Sequence, residues 1–320
     1  MAKVVVTRPL PEAGLIDLQA AHTVEIYDPV LQGEIDEDRL IALVRGADAL
    51  IPTVGDPVSE RVLAASSHLH IVAQFGVGVD NIDLDAARAH DIIVTNTPDV
   101  LTDATADFAF ALLLAAARHL RQAEQVVRDG AFQRWETRLL MGMELRNKVL
   151  GIVGLGRIGR AMARRGLGFG MKVLYHNRQR TNPTVEREYG ARYTSFDDLL
   201  ARSDVLSLHC ALNADTYHLL DASALARMKA SALLVNTARG AVVDEEALVR
   251  ALEAGHLAGA GLDVFEHEPR VHPGLLAHPR VVLAPHLGSA TVEARTGMAR
   301  MASEAVLAAL NGGTVPYRVV

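Results

Sequence analysis

The stretch Lys148–Gly159, KVLGIVGLGRIG, constrains this chain more than any other. Val149, Leu150, Ile152 and Val153 form a short apolar run of the kind buried in a parallel sheet. It leads directly into Gly154-Leu155-Gly156-Arg157-Ile158-Gly159, which fits G-x-G-x-x-G, and an alanine-rich helical pattern follows to about Phe169. Strand, glycine turn and helix in that order make a dinucleotide-binding unit. Gly154 permits the tight turn, Gly156 lets backbone approach a pyrophosphate, and Gly159 lets the helix lie close to the strand. The helix N-terminus aims N–H groups and the positive end of its dipole at the phosphates. Glycines alone also make plain structural turns; the flanking strand and helix favour the ligand-binding reading.

On either side of this unit, strand and helix patterns alternate. Strand-like runs at Val4–Val6, Val24–Tyr27, Ala49–Ile51, His70–Ala73 and Ile92–Thr95 are interleaved with helical patterns at Glu12–Ala20, Glu37–Val44 and Val58–Ala65. Beyond the glycine turn, strands are expected at Lys172–Tyr175, Val205–Leu208, Leu233–Asn236 and Val281–Ala284, and helices at Phe196–Arg202, Asp221–Met228 and Glu245–Ala254. Such alternation predicts an α/β fold with parallel sheets covered on both faces. Asp99–Arg128 reads as one long helical region, apolar on most faces, to be buried in the core or against a partner. A loop-like segment to Gly142 follows and holds the only tryptophan, Trp135. The last helix runs from Thr291 to about Leu310, capped by Ser289 or Thr291, and by position can cross back to the first section.

Composition excludes several function classes. A length of 320 residues fits about two domains, and a 50% apolar content supports large cores. A net charge of -6 and a pI near 6.1 argue against a general nucleic-acid or anionic-membrane binder. The single cysteine, Cys210, excludes an internal disulfide framework and fits a reducing, cytoplasmic setting. The start, MAKVVVTRPL, lacks the long apolar region of a signal peptide, and the most apolar helical stretch, Phe108–Ala117, is too short to span a bilayer.

Four polar residues lie just past strand-like runs in the second half, where open α/β sheets bind ligands. Arg239 follows Leu234-Val235-Asn236-Thr237-Ala238; Asp263 follows Gly259-Ala260-Gly261-Leu262; Glu268 lies just beyond; His286 follows Val282-Leu283-Ala284-Pro285. An arginine fork suits a carboxylate, and histidine is the usual proton donor near neutral pH. A carboxylate beside such a histidine fixes its tautomer and favours its charged form. Each residue alone has a plainer reading: Arg239 as a surface ion pair, Glu268 as a turn carboxylate, Asp263 as a strand-end cap. His267, His272, His278 and His286 fit no metal-ligand spacing, so no metal is expected.

Taken together, the motifs GLGRIG at 154–159, NTARG at 236–240, GLDVFEHEP at 261–269 and APHLGS at 284–289 resemble the D-2-hydroxyacid dehydrogenase family along nearly the whole chain. The run Asn96–Ala106, NTPDVLTDATA, is similar to the glyoxylate/hydroxypyruvate reductase branch. The resemblance implies a Rossmann dinucleotide-binding domain at 100–287, inserted into a flavodoxin-like substrate domain made of 1–99 and 288–320. It implies that Arg239 anchors and polarises a 2-oxo acid, that His286 is the acid/base, and that Glu268 pairs with it. Asp263 is implied to meet the nicotinamide carboxamide, and the amides of Val77 and Gly78 to hold the substrate carboxylate. Thr105, Cys210, Thr216, Thr237, Ala238 and Gly288 are implied to join Gly154, Leu155, Gly156, Arg157, Ile158 and Gly159 around the cofactor. A homodimer through the 100–145 region is implied too. Trp135 then approaches a neighbouring active site, or simply packs in its own loop.

The cofactor is read from the end of the next strand. NAD-binding relatives place an acidic residue there to accept hydrogen bonds from the ribose hydroxyls. Here Asn177 takes that position, followed by Arg178 and Arg180. Asparagine does not repel a 2′-phosphate and the arginines can pair with it, so NADPH is expected over NADH; a solvated basic loop is the plainer reading. The expected reaction is reduction of glyoxylate or hydroxypyruvate. A 2-ketogluconate reductase, a general D-2-hydroxyacid dehydrogenase and a phosphoglycerate dehydrogenase are rivals within the class. A nucleotide-sensing, corepressor-like binding protein is the rival outside it.

Overall fold

The computed structural model describes all 320 residues, which form two compact units: 1–101 with 290–320, and 102–289. In the first, β1 (Lys3–Val6), β2 (Thr23–Ile26), β3 (Ala49–Ile51), β4 (Ile71–Ala73) and β5 (Ile93–Thr95) form one sheet in the order β2-β1-β3-β4-β5. Every pairing is parallel, which is the flavodoxin-like arrangement. Alternation along the strands serves two cores. Val5, Leu50, Val72 and Val94 face Leu40, Val44 and Val62 on one side. Val4, Val6, Ile51 and Ile71 face Leu18, Ala302 and Val306 on the other. Sheets covered on both faces need such uninterrupted apolar strands. The helix Val292–Leu310 does cross back to this unit: Thr291 caps it by accepting from the Ala294 amide, and Ser303 Oγ donates to the Gly14 carbonyl at 2.8 Å. The final residues lie along β5, where the Val319 amide donates to the Val94 carbonyl and so covers an edge otherwise open to pairing.

The second unit holds β6 (Val149–Val153), β7 (Lys172–His176), β8 (Ala191–Tyr193), β9 (Val205–Leu208), β10 (Leu233–Asn236), β11 (Gly259–Leu262) and β12 (Val281–Leu283). Their order, β12-β11-β10-β9-β6-β7-β8, is that of a Rossmann sheet, and all pairings are parallel. The order reverses between β6 and β9, and the loops leaving those strands flank the crevice where such sheets bind ligands.

The expected single helix over Asp99–Arg128 is two helices, Thr102–Ala117 and Leu120–Arg128, broken at His119, whose φ is +52°. Only the first matches the apolar reading: Ala109, Leu112 and Leu113 lie in the core of this unit. The second, LRQAEQVVR, has no buried residue. Apolar content averaged over the whole stretch hid that change in character.

Candidate active site

The glycine turn behaves as its spacing predicts. Gly154 has φ +95°, and a Cβ on Gly159 would lie 2.1 Å from the Gly154 carbonyl oxygen, so helix and strand touch backbone to backbone. A Cβ on Gly156 would meet nothing within 4 Å, and no side chain caps the helix Arg157–Gly168. Open space in front of an uncapped helix N-terminus suits a pyrophosphate. Nearby, Thr237 Oγ1 is buried without a hydrogen-bond partner, a second polar group shaped for a ligand. The residues therefore fit a dinucleotide.

At the end of β7, Asn177 Oδ1 accepts from the Leu155 amide at 2.6 Å, tying that strand end to the glycine turn. The side chain of Arg178 is 84% exposed, with Asp215 at 3.9 Å. Arg180 is different. It makes two 2.8 Å bonds to Glu186, which also accepts from Tyr175 Oη at 2.7 Å. These bonds hold the Glu186 carboxyl at about 2. In this structure Arg180 is thus paired with Glu186, whereas the Arg178 guanidinium faces solvent.

Three neighbouring strands, β10, β11 and β12, deliver the polar residues. Asn236, at the end of β10, clamps the following loop: its Oδ1 accepts from the Ala238 amide at 3.0 Å and its Nδ2 donates to the Arg239 carbonyl at 2.9 Å. Gly240 then passes flat against the turn after β11, where a Cβ would fall 1.8 Å from the Phe265 carbonyl carbon. No side chain fits there, which sets the Arg239 loop against the Glu268 turn. Glu268 Oε1 accepts from the Phe265 amide at 3.0 Å, and Oε2 meets His286 Nδ1 at 2.9 Å. Burial pushes the Glu268 carboxyl up, but the His286 hydrogen bond and charge, the Phe265 amide and the Arg239 charge outweigh it, leaving the group below its ordinary range. A carboxylate that stays ionised at Nδ1 leaves Nε2 of His286 as the ring nitrogen available to a ligand.

His286 sits at φ +55°, a left-handed conformation that costs an L-residue with a side chain roughly 1–2 kcal/mol. Asp263 holds it there. The Asp263 carbonyl accepts from the His286 amide at 2.8 Å, and its two carboxylate oxygens accept from the Leu287 and Gly288 amides at 2.7 Å each. Hydrogen bonds to a charged group are worth about 1.5–3 kcal/mol each, enough to outweigh the strain. Burial raises the Asp263 carboxyl, with the Leu287 and Gly288 amides and His286 pulling the other way. Asp263 thus caps the His286 turn, and its remaining lone pairs can still accept from a ligand.

The family model described as D-isomer specific 2-hydroxyacid dehydrogenase, NAD binding domain, matches residues 110–288. The chain belongs to the D-isomer specific 2-hydroxyacid dehydrogenase family. It is 47% identical to a glyoxylate reductase of Thermococcus litoralis, over 99% of this chain and 96% of that protein. Among solved structures, a glyoxylate reductase from Paecilomyes thermophila is 36% identical with a TM-score of 0.89, covering 99% of this chain and 98% of the other. An NADPH-dependent glyoxylate/hydroxypyruvate reductase from Sinorhizobium meliloti, in complex with NADP and malonate, is 34% identical with a TM-score of 0.87, covering 100% and 97%. As a D-2-hydroxyacid dehydrogenase, the chain is an NAD(P)-dependent oxidoreductase with a Rossmann domain.

The other positions expected of this dehydrogenase fall as follows. Thr105 lies against Gly288, its methyl 3.2 Å from where a Cβ of that glycine would stand. Cys210 lies behind the glycine turn, its amide 2.8 Å from a Cβ placed on Gly154, and burial pushes its thiol up to about 11. Thr216 Oγ1 closes its own loop by donating to the Ala211 carbonyl at 2.7 Å. Val77 and Gly78 belong to the first unit, where Asn96 and Gln74 side chains donate to their carbonyls. Sequence reasoning missed His209, half-buried next to Gly154. It bonds Ser207 at 2.8 Å, and burial alone pushes it down to about 4, so it is neutral. Its place directly after a strand was the available signal. Trp135 does not pack in its own loop: it is 79% exposed. No helix is long and apolar enough to cross a membrane.

Proposed function

We propose that this dehydrogenase reduces small 2-oxo acids, glyoxylate and hydroxypyruvate, with NADPH. The observation that carries the reading is the Glu268–His286 hydrogen bond with the Arg239 charge acting on the same carboxylate. Arg239 offers a planar fork to the 2-oxo acid and stabilises negative charge as it develops on the carbonyl oxygen. His286, held at Nδ1 by Glu268, presents a proton from Nε2 to that oxygen. When bound, the reduced nicotinamide supplies the hydride. The relatives named glyoxylate reductase support the substrate class. A panel of glyoxylate, hydroxypyruvate, 2-ketogluconate, pyruvate and phenylpyruvate, each with NADPH and NADH, tests it. The highest kcat/KM is expected for glyoxylate or hydroxypyruvate with NADPH, and a clear preference for any other member rejects the assignment.

The NADPH preference rests on Asn177 and on the solvent-facing guanidinium of Arg178. Aspartate at 177 keeps the acceptor for the Leu155 amide, so that exchange should not disturb the turn. Asn177→Asp with Arg178→Ala is expected to shift the NADPH/NADH ratio of kcat/KM toward NADH by about 10–100-fold, the worth of one charge-assisted pair. An unchanged ratio would remove both residues from cofactor selection. We also propose that a second copy of the chain covers the 100–145 region. Val127, on the helix without a buried residue, and Phe132, Trp135, Leu139 and Met141 in the segment after it are all exposed. Clustered exposed apolar side chains mark interaction surfaces.

A further inference from the structure

The turn that carries Glu268 has a second anchored carboxylate. Glu266 Oε1 meets His218 Nε2 at 2.7 Å, and Tyr217 Oη donates to the same oxygen at 3.4 Å. Tyr217 stacks on the His218 ring, with centroids 4.1 Å apart. The Glu266 amide donates to Glu245 Oε1 at 2.8 Å, and Glu245 is a buried carboxylate. His218 is tied down in turn. Its amide donates to the Ala241 carbonyl at 2.8 Å, and the Leu220 amide to the Val242 carbonyl at 3.0 Å. The side-chain pair joins the loop after β9 to the turn that carries Glu268, and backbone bonds join that same loop to the segment after Arg239.

We propose that His218 and Glu266 are positioning residues for the reaction: their pair holds the Phe265–Glu268 turn so that the Glu268 carboxylate meets His286 Nδ1. The inference rests on the roles given above to Glu268 and His286. The mechanical link is short. Glu266 directly follows Phe265, whose amide supplies the bond that orients Glu268 Oε1. Releasing the Glu266 side chain leaves the turn tied at that residue only by the Glu266 amide bond to Glu245, and a contact of 2.9 Å between Glu268 and His286 does not tolerate a displacement of about 1 Å. Displacements of that size cost about 100-fold in rate.

The test uses full-length variants, with steady-state glyoxylate reduction and NADPH affinity measured by fluorescence titration. Glu266→Ala and His218→Phe are each expected to lower kcat by about 10–100-fold with the NADPH dissociation constant unchanged. Glu266→Gln, which keeps an acceptor for His218, is expected to restore most of the rate. The Glu266→Ala/His218→Phe double variant is expected to be no slower than the slower single variant, because both remove one interaction. Wild-type kcat in Glu266→Ala, or losses that multiply in the double variant, would overturn the proposal. If Glu266→Ala does not fold, a slow His218→Phe beside a fast Glu266→Gln supports the proposal and a fast His218→Phe overturns it. Glu268→Gln is the reference. Wild-type turnover there removes the role of Glu268 and the proposal with it. A disabled Glu268→Gln beside an unaffected Glu266→Ala overturns the positioning role alone.

Discussion

His286→Asn is expected to lower kcat for glyoxylate reduction by about 10²–10⁴-fold, the usual worth of a positioned general acid. Asparagine is the informative replacement because it tolerates the left-handed backbone that His286 adopts at φ +55°. The turn held by the Asp263 carboxylate should then stay in place, and NADPH affinity with it. His286→Ala removes the same proton but adds backbone strain, so a matching loss in the two variants locates the effect in the imidazole. Turnover close to wild type in His286→Asn would end its role as acid.

Arg239→Gln is expected to lower kcat/KM by about 10²–10³-fold, the range seen when a donor to a developing oxyanion is removed. Arg239→Lys keeps a charge but loses the planar fork, and is expected to recover only part of the loss. The guanidinium also donates to the Ala238 carbonyl at 2.9 Å, and its charge helps keep Glu268 ionised. Some of the loss therefore passes through Glu268. Nucleotide affinity measured on the same variants separates this from a collapsed loop: it should be unchanged. Equal kcat/KM for Arg239→Gln and wild type would remove the arginine from substrate recognition.

What could be read from the sequence was mostly local. The glycine turn, the apolar strands and the residues just past them were legible because each depends on neighbours in the chain. Arg239, Asp263, Glu268 and His286 follow three strands that prove adjacent in the sheet. What escaped depended on distant or short partners. The pairing of Arg180 with Glu186 escaped because Glu186 lies on the unread helix Pro183–Glu188, which Asn182 caps. The His218–Glu266 pair joins residues 48 positions apart in different loops, and no periodicity reports it. That both Asp263 carboxylate oxygens accept from the amides after His286 is revealed only by the turn geometry. The long helix failed because averaging over Asp99–Arg128 merged a buried helix with an exposed one.

Hydride transfer to a 2-oxo acid is the central claim, and isotope transfer tests it most directly. Purified protein is mixed with glyoxylate and NADPH carrying deuterium at the transferring ring position, and the product is examined by mass spectrometry and proton NMR. The expected result is glycolate with one deuterium on its carbinol carbon for each NADPH oxidised, a reaction that His286→Asn slows severely. NADPH consumed without deuterium in glycolate, or no consumption under conditions where the nucleotide binds, would contradict the account.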